Sequence, residues 1–309
     1  MSRRVFVLGG TGAIGPYALR ALVQAGYEVE ALVRSEAKAG LVTGLGAAPA
    51  VGSIFDTSRL TESFAGHDTV VNLATSIPST LRYALPSAWR ENTRIRTDGT
   101  RSVVDAARAA GVPRLVQESI ALVYRDGGSG WVDENTPLDP FSVTTATPVS
   151  EDEIERFTTS GGTGVVLRFG MFYGPGSKQS AEMLLAAKLR FGPVLGHPDR
   201  YWSPTCLPDA GSAVVAALDA PAGIYNVVDD EPVTKRAFAE AISAAVGRRS
   251  LLRGPGRLIG LPGDQMSAIT RSLRVSNTKF KTATGWSPQF PSAREGWRHT
   301  VQALAQSTR

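Results

Sequence analysis

Seven residues near the start of the chain, Gly9-Gly10-Thr11-Gly12-Ala13-Ile14-Gly15, constrain its fold more than any others. They join an apolar run, Val5-Phe6-Val7-Leu8, to a segment of helical periodicity from Ile14 to Ala25. Glycines at the first, fourth and seventh positions let the backbone turn tightly between a strand and a helix. They also leave the helix N-terminus, with its free N–H groups and positive dipole end, open to an anion. In this strand–loop–helix context the pattern points to a dinucleotide pyrophosphate; outside it, a structural turn would be the simpler reading. Gly9, Thr11, Gly12, Ala13, Ile14 and Gly15 are the candidate contacts.

The rhythm that begins there continues. Val29–Val33, Thr69–Ala74, Arg114–Ser119 and Gly164–Arg168 are further short Val- and Leu-rich runs. They are nearly continuous in apolar character, as strands buried on both faces of a parallel sheet are. Helix-patterned segments stand between them at Thr57–Phe64, Ala88–Ala110 and Pro148–Thr159, and Gly26, Gly66 and Gly111 lie just past three of the helices. Strand alternating with helix predicts an α/β fold with a Rossmann-type doubly wound parallel sheet. After about residue 174 turn signals crowd in: Gly174-Pro175-Gly176, Gly192-Pro193 and Gly196-His197-Pro198. The expected organisation is a dinucleotide-binding core over 1–174 and a smaller substrate-binding region over 175–309, partly interleaved with the core.

Composition excludes several other classes. A length of 309 residues with 42% hydrophobic side chains supports a substantial core. One cysteine, Cys206, cannot make an internal disulfide, and His67, His197 and His299 lack metal-ligand spacing, so no metal is expected. A formal charge of +5 is too small and dispersed to argue for nucleic acid. The longest uncharged stretch, Ala39–Phe55, is Gly-rich and carries Pro49, which rules it out as a membrane span. Without a signal-peptide pattern ahead of Val5, the default location is the cytoplasm.

Which dinucleotide binds depends on the end of the second strand. A carboxylate there would hold the ribose hydroxyls of NAD, whereas an Arg accommodates the 2′-phosphate of NADP. This chain has Val33 followed by Arg34, which favours NADP(H) over NAD(H); the alternative is that Arg34 is a solvated loop residue.

With these residues in view, the chain resembles the extended short-chain dehydrogenase/reductase superfamily, which contains sugar-nucleotide epimerases and dehydratases. The resemblance runs along essentially the whole chain. It rests on Gly9–Gly15, on Gly52-Ser53-Ile54-Phe55-Asp56, on Val70-Val71-Asn72-Leu73-Ala74 and on Glu91-Asn92 through Gly99-Thr100. It continues through Leu167–Gly176, Thr205–Asp209, Gly223-Ile224-Tyr225-Asn226-Val227 and Thr284-Gly285-Trp286-Ser287-Pro288. It implies further cofactor contacts at Ser53, Ile54, Leu73, Ala74, Thr75, Asn92, Phe169 and Met171. For Asn92, capping or backbone bonding is the equal alternative.

The resemblance also implies a catalytic Ser or Thr, a Tyr, and a Lys four residues after the Tyr. The matching positions here hold Ile120, Thr147 and Glu151, and no Tyr-x-x-x-Lys occurs in the chain. An alkyl hydroxyl is a far weaker acid than a phenol, and a carboxylate at the Lys position is expected to repel the cofactor's oxygens, so epimerase and dehydratase chemistry is disfavoured. Ser119 and Thr147 remain as low-ranking catalytic candidates that could orient a carbonyl. Trp89, Phe172 and Trp202 are candidates for an apolar substrate wall, with core packing as the bland reading of each, and Tyr124 is a substrate-binding candidate that could donate a proton, although the resemblance implies a packing role. Superfamily members that lack the triad include ketoreductases of aromatic polyketides.

The expectation is therefore an NADPH-dependent ketoreductase of an aromatic or polyketide-like small molecule, with the proton supplied by water or by the substrate itself. Its partners would be that substrate, no nucleic acid and no membrane, and it would be a monomer or homodimer. A non-redox cyclase or lyase, and an NADP(H)-binding scaffold or sensor, are the alternatives.

Overall fold

The computed structural model describes residues 3–79, 82–83, 85–192, 194, 196–249, 252–253 and 270–307. Thr80, Leu81 and Ala84, in the stretch that leads to Trp89, and Pro193 of the second turn signal, lie outside them. Seven strands form one parallel sheet: β1 (Arg4–Leu8), β2 (Glu28–Val33), β3 (Ala48–Val51), β4 (Thr69–Asn72), β5 (Arg114–Ile120), β6 (Thr163–Phe169) and β7 (Gly223–Val227). Their spatial order is β7-β6-β5-β4-β1-β2-β3. The order reverses between β1 and β4, and such a switch point is where sheets of this kind bind ligands.

Side chains of β1 alternate between two cores. Val5 and Val7 pack with α1 (Gly15–Gln24) and with a later helix, α6 (Leu207–Ala217). Phe6 and Leu8 face the opposite layer, with Leu60 and Phe64 of α2 (Thr57–Phe64), Val103 of α3 (Thr100–Ala109) and Phe157 of α4 (Ala146–Thr159). The expected α/β doubly wound architecture is present.

Two stretches differ from the sequence reading by more than a residue or two at their ends. The segment 88–110 is not one regular helix: Arg90–Arg94 and Thr100–Ala109 are α-helical, and Ile95–Gly99 between them is wound into a wider π turn. That turn carries Arg96 inward to a buried ion pair with Glu118. Ala48–Val51, inside the Gly-rich uncharged stretch, is a strand after all, and its Pro49 is tolerated because β3 lies at the sheet edge. The sheet also continues beyond residue 174, since β7 pairs with β6 and α6 packs on α1.

The remaining C-terminal elements gather around a separate apolar cluster. Leu184 of α5 (Lys178–Lys188), Phe238 and Ile242 of α7 (Lys235–Ala245) and Trp297 of α8 (Ala293–Ser307) pack there with Tyr173 and Cys206. Among the described residues no helix is long and apolar enough to cross a membrane.

Candidate active site

The glycine loop crosses the C-terminal end of β1. Gly9 has φ +81°, and a Cβ there would lie 2.5 Å from the Leu73 carbonyl at the end of β4. A Cβ at Gly15 would lie 2.4 Å from the Gly10 backbone. Both glycines are therefore required by the loop itself. Gly12 differs: a Cβ there would meet only the Gly9 carbonyl oxygen, at 3.2 Å, and Thr11, Gly12 and Ala13 are exposed.

Helix α1 begins with Pro16 in its first turn, has no side-chain cap and carries no acidic residue in that turn. Its positive end is thus left to the solvent beside an exposed, side-chain-free step in the backbone. These features fit a pyrophosphate, with the backbone of residues 11–15 as the cradle. Ile14 and Gly15 are themselves buried.

The other expected cofactor positions ring this loop in different states of exposure. Arg34 is exposed immediately after β2, and Ser53 is exposed after β3. Ile54 and Leu73 are buried, and Ala74 and Thr75 are half-buried. Asn92 is buried, and its Oδ1 accepts the Ser76 N–H at 3.1 Å, so that carboxamide oxygen anchors the loop after β4. Phe169 is buried at the end of β6, whereas Met171 and Phe172 just beyond it are half-buried.

The candidate catalytic positions lie on β5 and α4 and form a closed polar network. Ser119 Oγ donates to Glu151 Oε1 at 2.5 Å. From the neighbouring strand Arg168 Nε donates to Oε1 at 2.8 Å, and a terminal guanidinium nitrogen donates to Oε2 at 2.5 Å. Burial would lower the Arg168 pKa, but the hydrogen bonds and charge of Glu151 outweigh it and hold it above the ordinary value. One register position away, Glu118 forms a bidentate pair with Arg96, at 3.0 and 2.8 Å. Burial raises the Glu118 pKa, against the opposing pull of Arg96.

This geometry corrects several expectations. Glu151 is not a bare carboxylate facing the cofactor, because its charge is spent on Arg168. Ser119 and Thr147 have no exposed surface, and the Ser119 proton is committed to Glu151. Thr147 Oγ1 is buried without a hydrogen-bond partner. In this conformation neither residue can orient a substrate carbonyl. Ile120 is the one half-buried member of the three matched positions.

The four substrate-binding candidates do not form one wall either. Tyr124 is fully buried, donates to Asn226 Oδ1 at 2.8 Å, and has its phenol pKa pushed up to about 12 by burial. It is a packing residue and not a substrate contact. Trp202 packs on Phe238, with ring centroids 5.5 Å apart, in the C-terminal cluster. Phe172 packs on Phe169 at 5.2 Å. Trp89 is the member that joins a cluster at the strand ends. Its Nε1 donates to the Tyr83 carbonyl at 2.9 Å, and it gathers with Phe141, Val143, Tyr83 and Leu122.

That cluster draws on the loops after β4 and β5 and on the segment before α4. A surface depression of about 370 Å³ opens beside it, lined in part by Pro86, Trp89, Arg90 and Val143. Leu122, Phe141 and Val143 carry no motif, and only the fold brings them to Trp89. Arg168 did have a sequence signal, as a lone charge inside the apolar run 164–169.

Comparison with known proteins fits this site. The chain matches the family model described as NAD(P)H-binding over residues 9–182. It is 34% identical over 307 residues to the 3-diazoavenalumate denitrifying reductase of a Streptomyces species, covering 95% of this chain and 98% of that one. It is also 34% identical over 262 residues to the 4-hydroxy-2-methyl-3-oxo-4-farnesyl-3,4-dihydroquinoline-1-oxide ketoreductase of Stigmatella aurantiaca, covering 79% of this chain and 75% of that one. Its fold matches the human epimerase family protein SDR39U1 crystallised with NADPH, with a TM-score of 0.81 at 24% identity, over 97% of this chain and 99% of that one. The chain belongs to the NAD(P)H-binding family and is an atypical member of the short-chain dehydrogenase/reductase type. More narrowly, it is an NAD(P)H-dependent reductase, an oxidoreductase.

Proposed function

We propose that this protein is an NADPH-dependent ketoreductase of an aromatic or polyketide-like small molecule, and that water or the substrate supplies the proton. The observation that carries this reading is the contrast at the strand ends. The candidate acid positions are apolar or sealed (Ile120, Thr147, Glu151), whereas the neighbouring loops pack Tyr83, Trp89, Leu122 and Phe141 into an apolar cluster. When bound, the cofactor supplies the hydride, and the protein's part is to hold the two reactants in line.

The backbone of residues 9–15 would cradle the pyrophosphate, and Arg34 would meet the 2′-phosphate that separates NADPH from NADH. The hydride would add to an activated carbonyl carbon, and the electron pair would pass to the oxygen, which takes its proton from water or from a substrate hydroxyl. A flat, electron-poor ring system suits such a site, because its alkoxide or enolate needs little help from a protein acid. In this reading the protein acts in the cytoplasm as a monomer or homodimer.

The Streptomyces relative favours a second acceptor for the same site. Hydride could add to the terminal nitrogen of an aryl diazonium group, giving an aryl diazene. That species loses N₂ as its hydrogen passes to the ring carbon. This step too draws no proton from the protein.

The test is a screen of aromatic diketones, quinones and aryl diazonium salts for NADPH oxidation. Turnover of a carbonyl acceptor is expected, and failure with every carbonyl alongside turnover of a diazonium salt would replace the first reading with the second.

A further inference from the structure

The matched Lys position holds Glu151, and the cation it binds comes from a different element. Arg168 lies in β6 directly across from Ser119 of β5 and Asn226 of β7. Its guanidinium makes two hydrogen bonds to Glu151 and stacks over the Tyr124 ring at 4.8 Å. The Tyr124 hydroxyl is in turn held by Asn226, whose backbone N–H donates to Glu134 Oε1 at 2.8 Å. The assembly thus ties helix α4 to three adjacent strand ends. Phe169 follows Arg168 directly, and Met171 lies two residues further, so the pair fixes the segment in which the resemblance implies cofactor contacts at Phe169 and Met171.

Among the described residues, the carboxylates, guanidiniums and phenol of this assembly are each paired. Glu118 is held by Arg96, Glu151 by Arg168 and Ser119, and the Tyr124 proton is on Asn226. Glu134 accepts from backbone, and Thr147 contributes only an alkyl hydroxyl.

We propose that Glu151 and Arg168 are positioning residues that set the strand end beside the cofactor, and that with Ser119 they close the site to proton exchange, so hydride transfer proceeds without any protein side chain giving or taking a proton. This rests on the reductase reading above and adds to it a role for a named pair.

The probe is 9,10-phenanthrenequinone, a flat aromatic diketone, with NADPH and the whole protein. Hydride from NADPH forms a C–H bond at one carbonyl carbon, and the C=O electron pair becomes an alkoxide. The alkoxide takes a proton from water, leaving hydroxide and NADP⁺.

In single turnovers the rate of hydride transfer by the wild type is expected to vary less than about threefold between about pH 6 and about pH 9, over the rate without protein. A change of about tenfold per pH unit would reveal a titrating side chain and overturn the proposal.

The role of the pair is read from Glu151→Gln, which leaves the guanidinium unpaired, and from Glu151→Gln combined with Arg168→Met, which is neutral. The double variant is expected to recover the Tm lost in the single one, yet to transfer hydride about tenfold more slowly and bind NADPH about tenfold more weakly than the wild type. Recovery of rate and affinity together with Tm would reduce the pair to a structural role and overturn its assignment. If the wild type oxidised no NADPH with any acceptor, the reductase reading would fail. The NADPH affinity of the double variant would still decide what the pair does.

Discussion

The glycine loop and the Glu151–Arg168 network lie at the same end of one sheet, yet they are built on opposite principles. The loop presents bare backbone: an uncapped helix end, an exposed Gly12 and no acidic side chain in the first turn. It can take up a charged ligand because no side chain caps its helix end, although the Gly12 N–H is held by the Gly9 carbonyl at 2.9 Å. The network spends its charges, since each of its carboxylates and guanidiniums is buried against an opposite charge. It therefore has no free charge to offer a ligand. Of these two regions at one end of the sheet, the first is left open and the second is closed.

Four substitutions would break or sharpen this contrast, the largest effect first. Glu151→Lys sets two cations together in a buried site, and a loss of about 3–5 kcal/mol is expected, read as a drop in Tm. Glu151→Arg combined with Arg168→Glu should recover part of that loss. A Tm unchanged in Glu151→Lys would mean that the network is not closed.

Gly12→Val puts a branched side chain where the cofactor must approach. NADPH affinity should fall about a hundredfold, equivalent to about 2.7 kcal/mol, with Tm nearly unchanged. A large loss of Tm instead would place Gly12 with Gly9 and Gly15, as a demand of the loop rather than of the ligand.

Arg34→Ala removes one charge-assisted contact. NADPH should bind about tenfold more weakly while NADH binding stays the same, as paired titrations would read. Equal weakening of both would remove Arg34 from the 2′-phosphate.

Tyr124→Phe, the smallest change, deletes the hydrogen bond to Asn226 and should cost about 1 kcal/mol in denaturant unfolding, with no change in turnover. A fall in turnover would return Tyr124 to the chemistry.

These two regions also differ in how far they could be read from the sequence. The loop follows from backbone rules that a short motif records, because glycine is needed where two chain segments nearly touch and where a phosphate must come close. The doubly wound parallel character of the sheet followed from the alternation of apolar runs with helical periodicity, whereas its strand order did not.

The network left a weaker trace. Thr147 and Glu151 were visible as departures from the expected catalytic pattern, and from them alone a repelled cofactor was the natural conclusion. What neutralises Glu151 is Arg168, seventeen residues further on in β6, and only the packing of helix α4 on that strand brings them together. The same holds for the apolar cluster. Trp89 was readable as a wall residue, whereas Leu122, Phe141 and Val143 are ordinary residues until three loops converge. Trp202 and Tyr124 were misplaced for the same reason, since an aromatic side chain at a loop end gives no sign of the core it will join.

The central claim, that this protein is a reductase built around NADPH, is tested most directly by fluorescence titration of the purified protein with NADPH and, beside it, NADH. The structure's open glycine loop and exposed Arg34 predict tight binding of NADPH and weak binding of NADH. Failure of both to bind would contradict the account, because it would mean that the cradle at Gly9–Gly15 holds no dinucleotide.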